Sequence, residues 1–424
     1  MVQAIHMWGL EFAMSDKYGN ISEYKELRKR ISGVTQILRT KKKKTITDWK
    51  MPATVELRNS TYNNENTLTL IITLTPIGCQ WAREGGCTMC GEFESSERQI
   101  EILKDPKFHI SQFARGITDP TMWKAVRQSG LKISRVRIYQ EGNYTNERET
   151  SRYAQETIIR LATMIPEVKK ITIESRPQYL NEENVKFLSD LLKGTSIQLE
   201  IGMGLEAQDD VVRNICINKN GSDLQFKNTV TLLRSYDILP LAYVILKPPF
   251  LSEQESIEEA VKTIHFANDI GFSRISLEPM TIHGFTLVDA LRFVDRYETP
   301  WLWSVIDVLK RCGDCDVKPG VGGIGYFPVP EAYSQNKCDV CNQTVMDRII
   351  LYNKHKDLSV FEGLTCPKCY SQWQRTLAYT DRLPLLDRMT RQLDLLEEKI
   401  DSYTYKQSHT DHTDGRILYK YVQE

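Results

Sequence analysis

Cys79, Cys87 and Cys90 stand in the run Gly78-Cys79-Gln-Trp-Ala-Arg-Glu-Gly-Gly-Cys87-Thr-Met-Cys90-Gly91. Three thiols are one too few to close a tetrahedral zinc site. They suit an iron–sulfur cluster held by thiolates that keeps one iron open to a small molecule. Two other readings of the C-x7-C-x2-C spacing are a zinc site completed by a distant residue and loop cysteines with no ligand role. Four more thiols, Cys338-Asp-Val-Cys341 and Cys366-Pro-Lys-Cys369, form two C-x2-C knuckles separated by 24 residues. That pattern reads as a zinc-ribbon-like module, because four thiolates close a tetrahedron and stabilise a fold lacking a large core. An auxiliary iron–sulfur cluster is the rival reading. Cys312-Gly-Asp-Cys315 is a third pair with no partner pair of its own. It is either plain loop sequence or a substitute ligand for one of the metal sites. Cys216, between Ile215 and Ile217, reads as a small buried hydrophobe.

The elements that must position these groups alternate. Strand-like runs occupy 68–75, 135–139, 170–173, 198–201, 241–246 and 274–277. Between them lie helix-patterned stretches at 148–165, 182–192, 223–235, 253–270 and 286–296. Asn181 and Ser252, each followed by acidic residues, read as N-caps. Repeated strand–helix units imply parallel strands with crossover helices. Six units are fewer than the eight that close a full barrel, so the expectation is α/β, a partial (β/α)6 barrel with its site on the C-terminal edge of the strands.

Those strand ends are polar. The second leads into Gln140-Glu141-Gly142-Asn143-Tyr144, the third into Glu174-Ser175-Arg176-Pro177, and the fourth into Gly202-Met203-Gly204-Leu205-Glu206. The fifth ends in Lys247-Pro248-Pro249-Phe250 and the sixth in Glu278-Pro279-Met280. Turns of this kind are often rich in Gly and Pro for backbone reasons alone. Five polar ends on the same rim as a three-cysteine loop point to a ligand site.

With 424 residues the chain exceeds one small core, and we expect 1–60 to be a basic N-terminal extension and 61–330 the barrel. The expected remainder is a zinc-ribbon-like module at 331–380 and a C-terminal helix and tail at 381–424. No apolar run approaches the ~20 residues of a membrane span, and the N-terminus lacks a signal-peptide layout. Ten cysteines, mostly in C-x2-C pairs, read as metal ligation in a reducing cytoplasm rather than a disulfide scaffold. Net charge is zero, yet residues 25–50 carry ten basic and two acidic side chains. This block, Lys41–Lys44 included, is either a phosphate-contacting surface or a solvated basic stretch. Gly320–Gly325 lacks the Lys-Ser/Thr of a P-loop and is not read as a nucleotide cradle. Leu383, Leu386, Met389, Leu393, Leu396 and Ile400 form an amphipathic stripe that packs on the barrel or on a partner. The tail with His409 and His412 reads as polar, with no metal role.

The three-cysteine loop followed by these strand ends resembles the radical S-adenosylmethionine (SAM) superfamily. More narrowly, it is similar to the radical SAM component of archaeosine synthases, and more distantly to elongator-type members. The resemblance runs from about residue 60 to about residue 375. It rests on Cys79-x-Trp81-Ala-Arg83, Cys87-Thr-Met89-Cys90, Glu174-Ser175-Arg176-Pro177, Gly204-Leu-Glu206, Asn218-Lys219, Lys247-Pro-Pro and Pro300-Trp-Leu-Trp-Ser304. It implies a [4Fe-4S] cluster on Cys79, Cys87 and Cys90, with SAM on the open iron and reductive formation of a 5′-deoxyadenosyl radical. By that analogy Gly142 and Asn143 meet the methionyl end of SAM, and Glu174, Ser175 and Arg176 serve its ribose or carboxylate. Gly204 and Glu206 line the floor, while Met89 and Trp81 shield the cluster or simply pack. Glu206, Lys247 and Glu278 bind the charged ends of the substrate or form rim ion pairs. The implied activity is lyase chemistry on a lysine adduct of the preQ0 deazaguanine base at tRNA position 15, giving archaeosine. The partners are tRNA, a lysine-transferase subunit and an electron donor protein. The alternatives are a radical SAM enzyme of another pathway and a non-catalytic, metal-stabilised RNA-binding scaffold.

Overall fold

The computed structural model describes residues 21–42, 50–75, 78–91, 97–140, 142–320, 332, 334–336, 338, 340–379, 383–404 and 421–422. Among the described residues nine strands form one sheet: β1 (Thr54–Tyr62), β2 (Glu65–Thr73), β3 (Ile133–Tyr139), β4 (Lys170–Glu174), β5 (Gln198–Glu206), β6 (Leu239–Leu246), β7 (Arg274–Pro279), β8 (Val317–Pro319) and β9 (Tyr421–Val422). Their order is β8-β7-β6-β5-β4-β3-β2-β1-β9. Strands β2 to β8 are parallel, and β1 returns antiparallel on β2.

Parallel neighbours in strict chain order need a crossover at each step. Because such crossovers are right-handed, the crossover helices fall on one face. The helices on that face include α6 (Arg152–Thr163), α7 (Glu182–Leu192), α8 (Asp223–Ser235), α9 (Glu253–Asp269) and α11 (Leu302–Arg311), whereas α10 (Leu287–Phe293) lies over the strand ends. A sheet loaded on one side curls, and the result is the partial barrel expected from the six strand–helix units, β2 to β7. The β1 hairpin and the short β8 and β9 extend it beyond those six. Two capping expectations hold. The Asn181 side chain accepts from the Asn184 amide, and Ser252 forms a reciprocal capping box with Glu255.

Alternation along the strands separates two environments. Val136, Ile138, Ile171, Ile173, Leu199, Ile201, Met203, Ala242, Val244, Ile275 and Leu277 point to the helix side and are buried in the main core. Each such aliphatic burial contributes roughly 1.5–3 kcal/mol. The opposite parity is polar and stacks in layers, as register requires. Arg135, Lys170, Glu200 and Arg274 lie near the strand starts. Tyr139, Glu174, Gly204, Tyr243 and Glu278 lie near the ends. At the foot, Glu200 takes Arg274 at 2.8 Å and Lys170 at 3.5 Å. Burial pushes the Glu200 carboxyl up, but these cations outweigh it and hold it at about 2.

A second core lies over the C-terminal edge of the strands. It joins α1 (Ile21–Thr40), the segment after β5 with its buried π-turn at Val212–Cys216, residues following β6 and β7, α10 and α14 (Leu385–Lys399). The amphipathic stripe therefore faces this chain's own barrel: Met389, Leu393 and Leu396 are fully buried there. Cys216 is buried too, with its thiol against the Met389 sulfur, and burial pushes its pKa up.

The basic block is largely spent inside the chain. Arg30 pairs with Asp394 and Glu397 on α14, and Lys41 donates to the Ile400 carbonyl. Lys42 donates to the Gly91 carbonyl, while Lys25 and Lys29 are exposed. Lys43 and Lys44, residues 321–325 of the glycine-rich run, and the tail histidines lie outside the described residues. Among the described residues no helix is long and apolar enough to cross a membrane.

Candidate active site

The cysteine loop leaves β2 at the C-terminal edge and carries one short helix, α2 (Gln80–Arg83), between Cys79 and Cys87. Backbone bonds from Arg83, Glu84, Gly85, Gly86 and Cys90 close turns within the loop, and bonds to distant residues fix it on the barrel. The amides of Cys87 and Thr88 donate to the carbonyls of Asn218 and Ile217 at 3.0 and 2.9 Å. Trp81 Nε1 donates to the same Asn218 carbonyl at 2.7 Å. Asn218 Nδ2 donates to Ser32 on α1 and to the Gly85 carbonyl. Arg39, buried at the end of α1, donates to the carbonyls of Ala82, Cys87 and Cys90. Burial lowers the Arg39 pKa, and the three neighbouring cysteines pull it back up.

Strand ends close on this loop from the barrel side. Asn143 Nδ2 lies 3.4 Å from Cys79 Sγ and donates to it. The Glu149 carboxylate accepts from the amides of Gln80 and Asn143, which ties the β3 end to the cysteine loop. Gly142 leaves room for this, since a Cβ there would meet the Glu149 carboxylate and approach the Cys79 backbone. The Arg176 backbone amide donates to the Asn143 side-chain oxygen. Its guanidinium donates to the Lys219 carbonyl at 2.6 Å and lies 5.2 Å from the Trp81 ring centroid. Arg28 covers the same ring at 5.5 Å. Desolvation and Glu149 push the Cys79 thiol up, and Arg176 draws it down.

The structure thus brings Cys79, Gly142, Asn143 and Arg176 into one neighbourhood. Ser175 is one shell away, its hydroxyl 2.6 Å from Thr145 Oγ1. Met89 is half-buried against the second core. Glu206 ends β5 with a left-handed φ of 64° after a register shift, and pairs with Lys219 at 2.7 Å. Gly204 leaves room for that pair, because a Cβ there would displace both charged ends. Lys247 turns away from the cysteine loop to Glu253 at 2.7 Å, and Glu278 accepts from Ser276 at 2.6 Å. Glu174 faces Tyr243 inside the barrel. Burial raises its pKa to about 7 against the opposing pull of the nearby Tyr243 hydroxyl.

Arg39 and Glu149 were invisible to a reading of strand ends, since one lay in a basic run and the other in a helix-patterned stretch. Arg39→Gln should destabilise the chain by roughly 3 kcal/mol, as three carbonyls lose a buried cation. Limited proteolysis of the metal-free variant should then cut within 79–91. An unchanged cleavage pattern would remove Arg39 from this role.

Glu174 makes a pH prediction. A carboxyl raised from 4.5 to about 7 takes up a proton on folding between those values. It therefore costs stability increasingly as pH rises through that window. Glu174→Gln should melt higher than wild type at pH 8, with the difference shrinking towards pH 4.5. A difference that ignores pH would refute the assignment.

The four C-terminal cysteines are a separate centre. Their ligand atoms all lie within 4.8 Å of one another, with Cys341–Cys369 and Cys338–Cys366 sulfurs at 3.2 and 3.8 Å. A zinc tetrahedron with ~2.3 Å bonds has edges of about 3.8 Å, so one ion fits. Trp303 Nε1 donates to Cys369 Sγ at 3.3 Å, and Trp373 Nε1 to Ser304 Oγ at 2.9 Å. The Pro300–Ser304 segment is therefore the seat of this cluster on the barrel. Cys79, Cys87 and Cys90 form no such single-ion group among the described residues. Three thiols on one loop beside Arg39 and Arg176 could hold an anionic metal centre.

No family model matches the chain. It is 28% identical to archaeosine synthase subunit beta of Methanosarcina acetivorans over 332 residues, 77% of this chain and 90% of that protein. It is 27% identical to an uncharacterized protein of Methanocaldococcus jannaschii over 78% of this chain and 88% of that one. A second archaeosine synthase subunit beta, from Thermococcus kodakarensis, is 26% identical over 56% of this chain and 72% of its own length. Among solved structures, the Methanocaldococcus infernus Elp3 aligns with a TM-score of 0.42 at 14% identity, over 62% of each chain. Across about three quarters of its length, this chain is a homologue of archaeosine synthase subunit beta.

Proposed function

We propose that this protein is a radical SAM enzyme of tRNA modification, acting as the lyase that converts a lysine adduct of the preQ0 base at position 15 to archaeosine. The observation that carries the reading is the juxtaposition of Cys79 with Asn143 and Arg176, at the mouth of a polar half-barrel, in a chain homologous to archaeosine synthase subunit beta. A [4Fe-4S] cluster on Cys79, Cys87 and Cys90, with SAM bound, supplies a 5′-deoxyadenosyl radical after one-electron reduction.

The chain's own residues do the rest. Asn143 donates to the Cys79 sulfur, and such donors tune a cluster. Arg39 and Asn218 fix the loop so that the three thiols keep their spacing. Gly142, Asn143, Ser175 and Arg176, near that loop, would bind SAM. Glu174 sits deeper beside Tyr243, able to hold a proton near neutral pH. The Glu206–Lys219 pair would meet the charged ends of the adduct. A base reached inside such a mouth must leave the RNA stack. The similarity to a protein named as a subunit supports a partner subunit, which in this reading attaches the lysine.

The test is anaerobic. Reconstituted protein with dithionite, SAM and tRNA carrying the lysine adduct should release 5′-deoxyadenosine and form archaeosine, read by nucleoside mass spectrometry. Radical formation with SAM but no product on this tRNA would move the enzyme to another pathway. Failure to form 5′-deoxyadenosine at all would leave the scaffold reading.

A further inference from the structure

The pair Cys312-Gly-Asp-Cys315 is used by neither centre above, and the fold divides it into two unlike thiols. Cys312 ends α11, fully buried in the main core. Cys315 lies on the turn towards β8, with its sulfur 3.8 Å from His265 Nδ1 and 3.7 Å from the Asp314 carboxylate. The ligand atoms of His265, Asp314 and Cys315 all fall within 4.8 Å of one another. His265 comes from α9, and Asp269, one helical turn further on, adds negative charge close to Cys315.

Zinc bonds of ~2.3 Å to sulfur and ~2.0–2.2 Å to nitrogen or oxygen put tetrahedral neighbours about 3.6 Å apart. The two measured separations lie within a few tenths of an ångström of that. A thiol, an imidazole and a carboxylate form a mixed set suited to zinc and poorly suited to magnesium or calcium. Three protein ligands leave a fourth position for water. The place is the foot of the barrel, where the Ile275 amide at the start of β7 donates to the Asp316 carbonyl. The cysteine loop lies at the other end of the strands.

We propose that His265, Asp314 and Cys315 bind one zinc-class divalent cation that staples α9 to the turn between α11 and β8. The proposal stands apart from the enzymatic reading and survives its failure. The experiment is zinc analysis of the full chain after identical iron–sulfur loading and dialysis against zinc. Wild type should carry two equivalents, and Cys315→Ser and His265→Gln should each carry one. Cys366→Ser should lose the other equivalent and keep this one. Cobalt(II) titration should show a thiolate charge-transfer contribution that Cys315→Ser lacks. Asp314→Asn alters an exposed side chain and keeps the fold. It should weaken zinc in a chelator competition at least about tenfold, the mildest cost of losing even an outer-shell partner. Equal zinc content in wild type, Cys315→Ser and His265→Gln would overturn the proposal and leave a hydrogen-bonded trio. So would an unchanged affinity in Asp314→Asn.

Discussion

Cys87→Ala is expected to leave a folded chain that binds no iron–sulfur cluster and yields no 5′-deoxyadenosine above background. The fold should survive because the loop is held through its backbone. The Cys87 amide donates to the Asn218 carbonyl, and the Cys87 carbonyl accepts from Arg39. Neither bond uses the thiol. Deleting one sulfur from a small buried side chain costs on the order of 1 kcal/mol, too little to unfold the chain. The cluster, in contrast, would lose one of only three anchors, with no other cysteine among the described residues grouped with them. Cys79→Ala and Cys90→Ala should behave alike. Iron content and visible absorbance after anaerobic reconstitution give the measurement, with far-ultraviolet circular dichroism as the folding control. A Cys87→Ala protein that still takes up a full cluster would defeat the assignment of these thiols.

Cys366→Ala should have the second large effect, of a different kind. It should release zinc and expose residues 338–379 to protease, while the iron–sulfur absorbance persists. Structural zinc supplies roughly 10–16 kcal/mol to zinc-finger peptides, far more than the local apolar packing can replace. Trp303, Tyr370 and Trp373 stack beside the four sulfurs and would lose their order with the ion. The disturbance should travel inward through Ser304, whose hydroxyl donates to Glu253, the partner of Lys247 at the β6 end. A fall in melting temperature of several degrees should accompany it. Zinc content and a protease map unchanged from wild type would show that these cysteines hold nothing.

Much of the barrel was legible because its signals are local. A β-branched run ending in glycine, an Asn or Ser before acidic residues, and a 3.6-residue apolar stripe each report on a few neighbouring residues. The strand-end readings located Gly142, Asn143 and Arg176 beside the cysteine loop because parallel strands in barrel order must share one edge. Other features had no local signal. The pairing of Lys247 with Glu253 depends on the angle at which the chain leaves β6, where Lys247 itself takes a left-handed φ of 70°. Charge counting read residues 25–50 as a surface block, although Arg39 is buried and Arg30 is committed to α14. Composition does not say which face of α1 a cation occupies, or what that face meets.

The sequence by itself determined that three thiols would stand on one loop, that four others would close a separate centre, and that polar strand ends would share a rim. Those are consequences of spacing and strand parity, which need no distant contact. Only the tertiary structure decided that helices from the two ends of the chain jointly form a second core over that rim. It also decided that Arg39, Glu149 and Asn218 hold the three-thiol loop, and that His265 meets Cys315 across 50 residues. The reason is physical: these contacts join residues far apart in the chain, and only the packing of whole elements sets which of them meet.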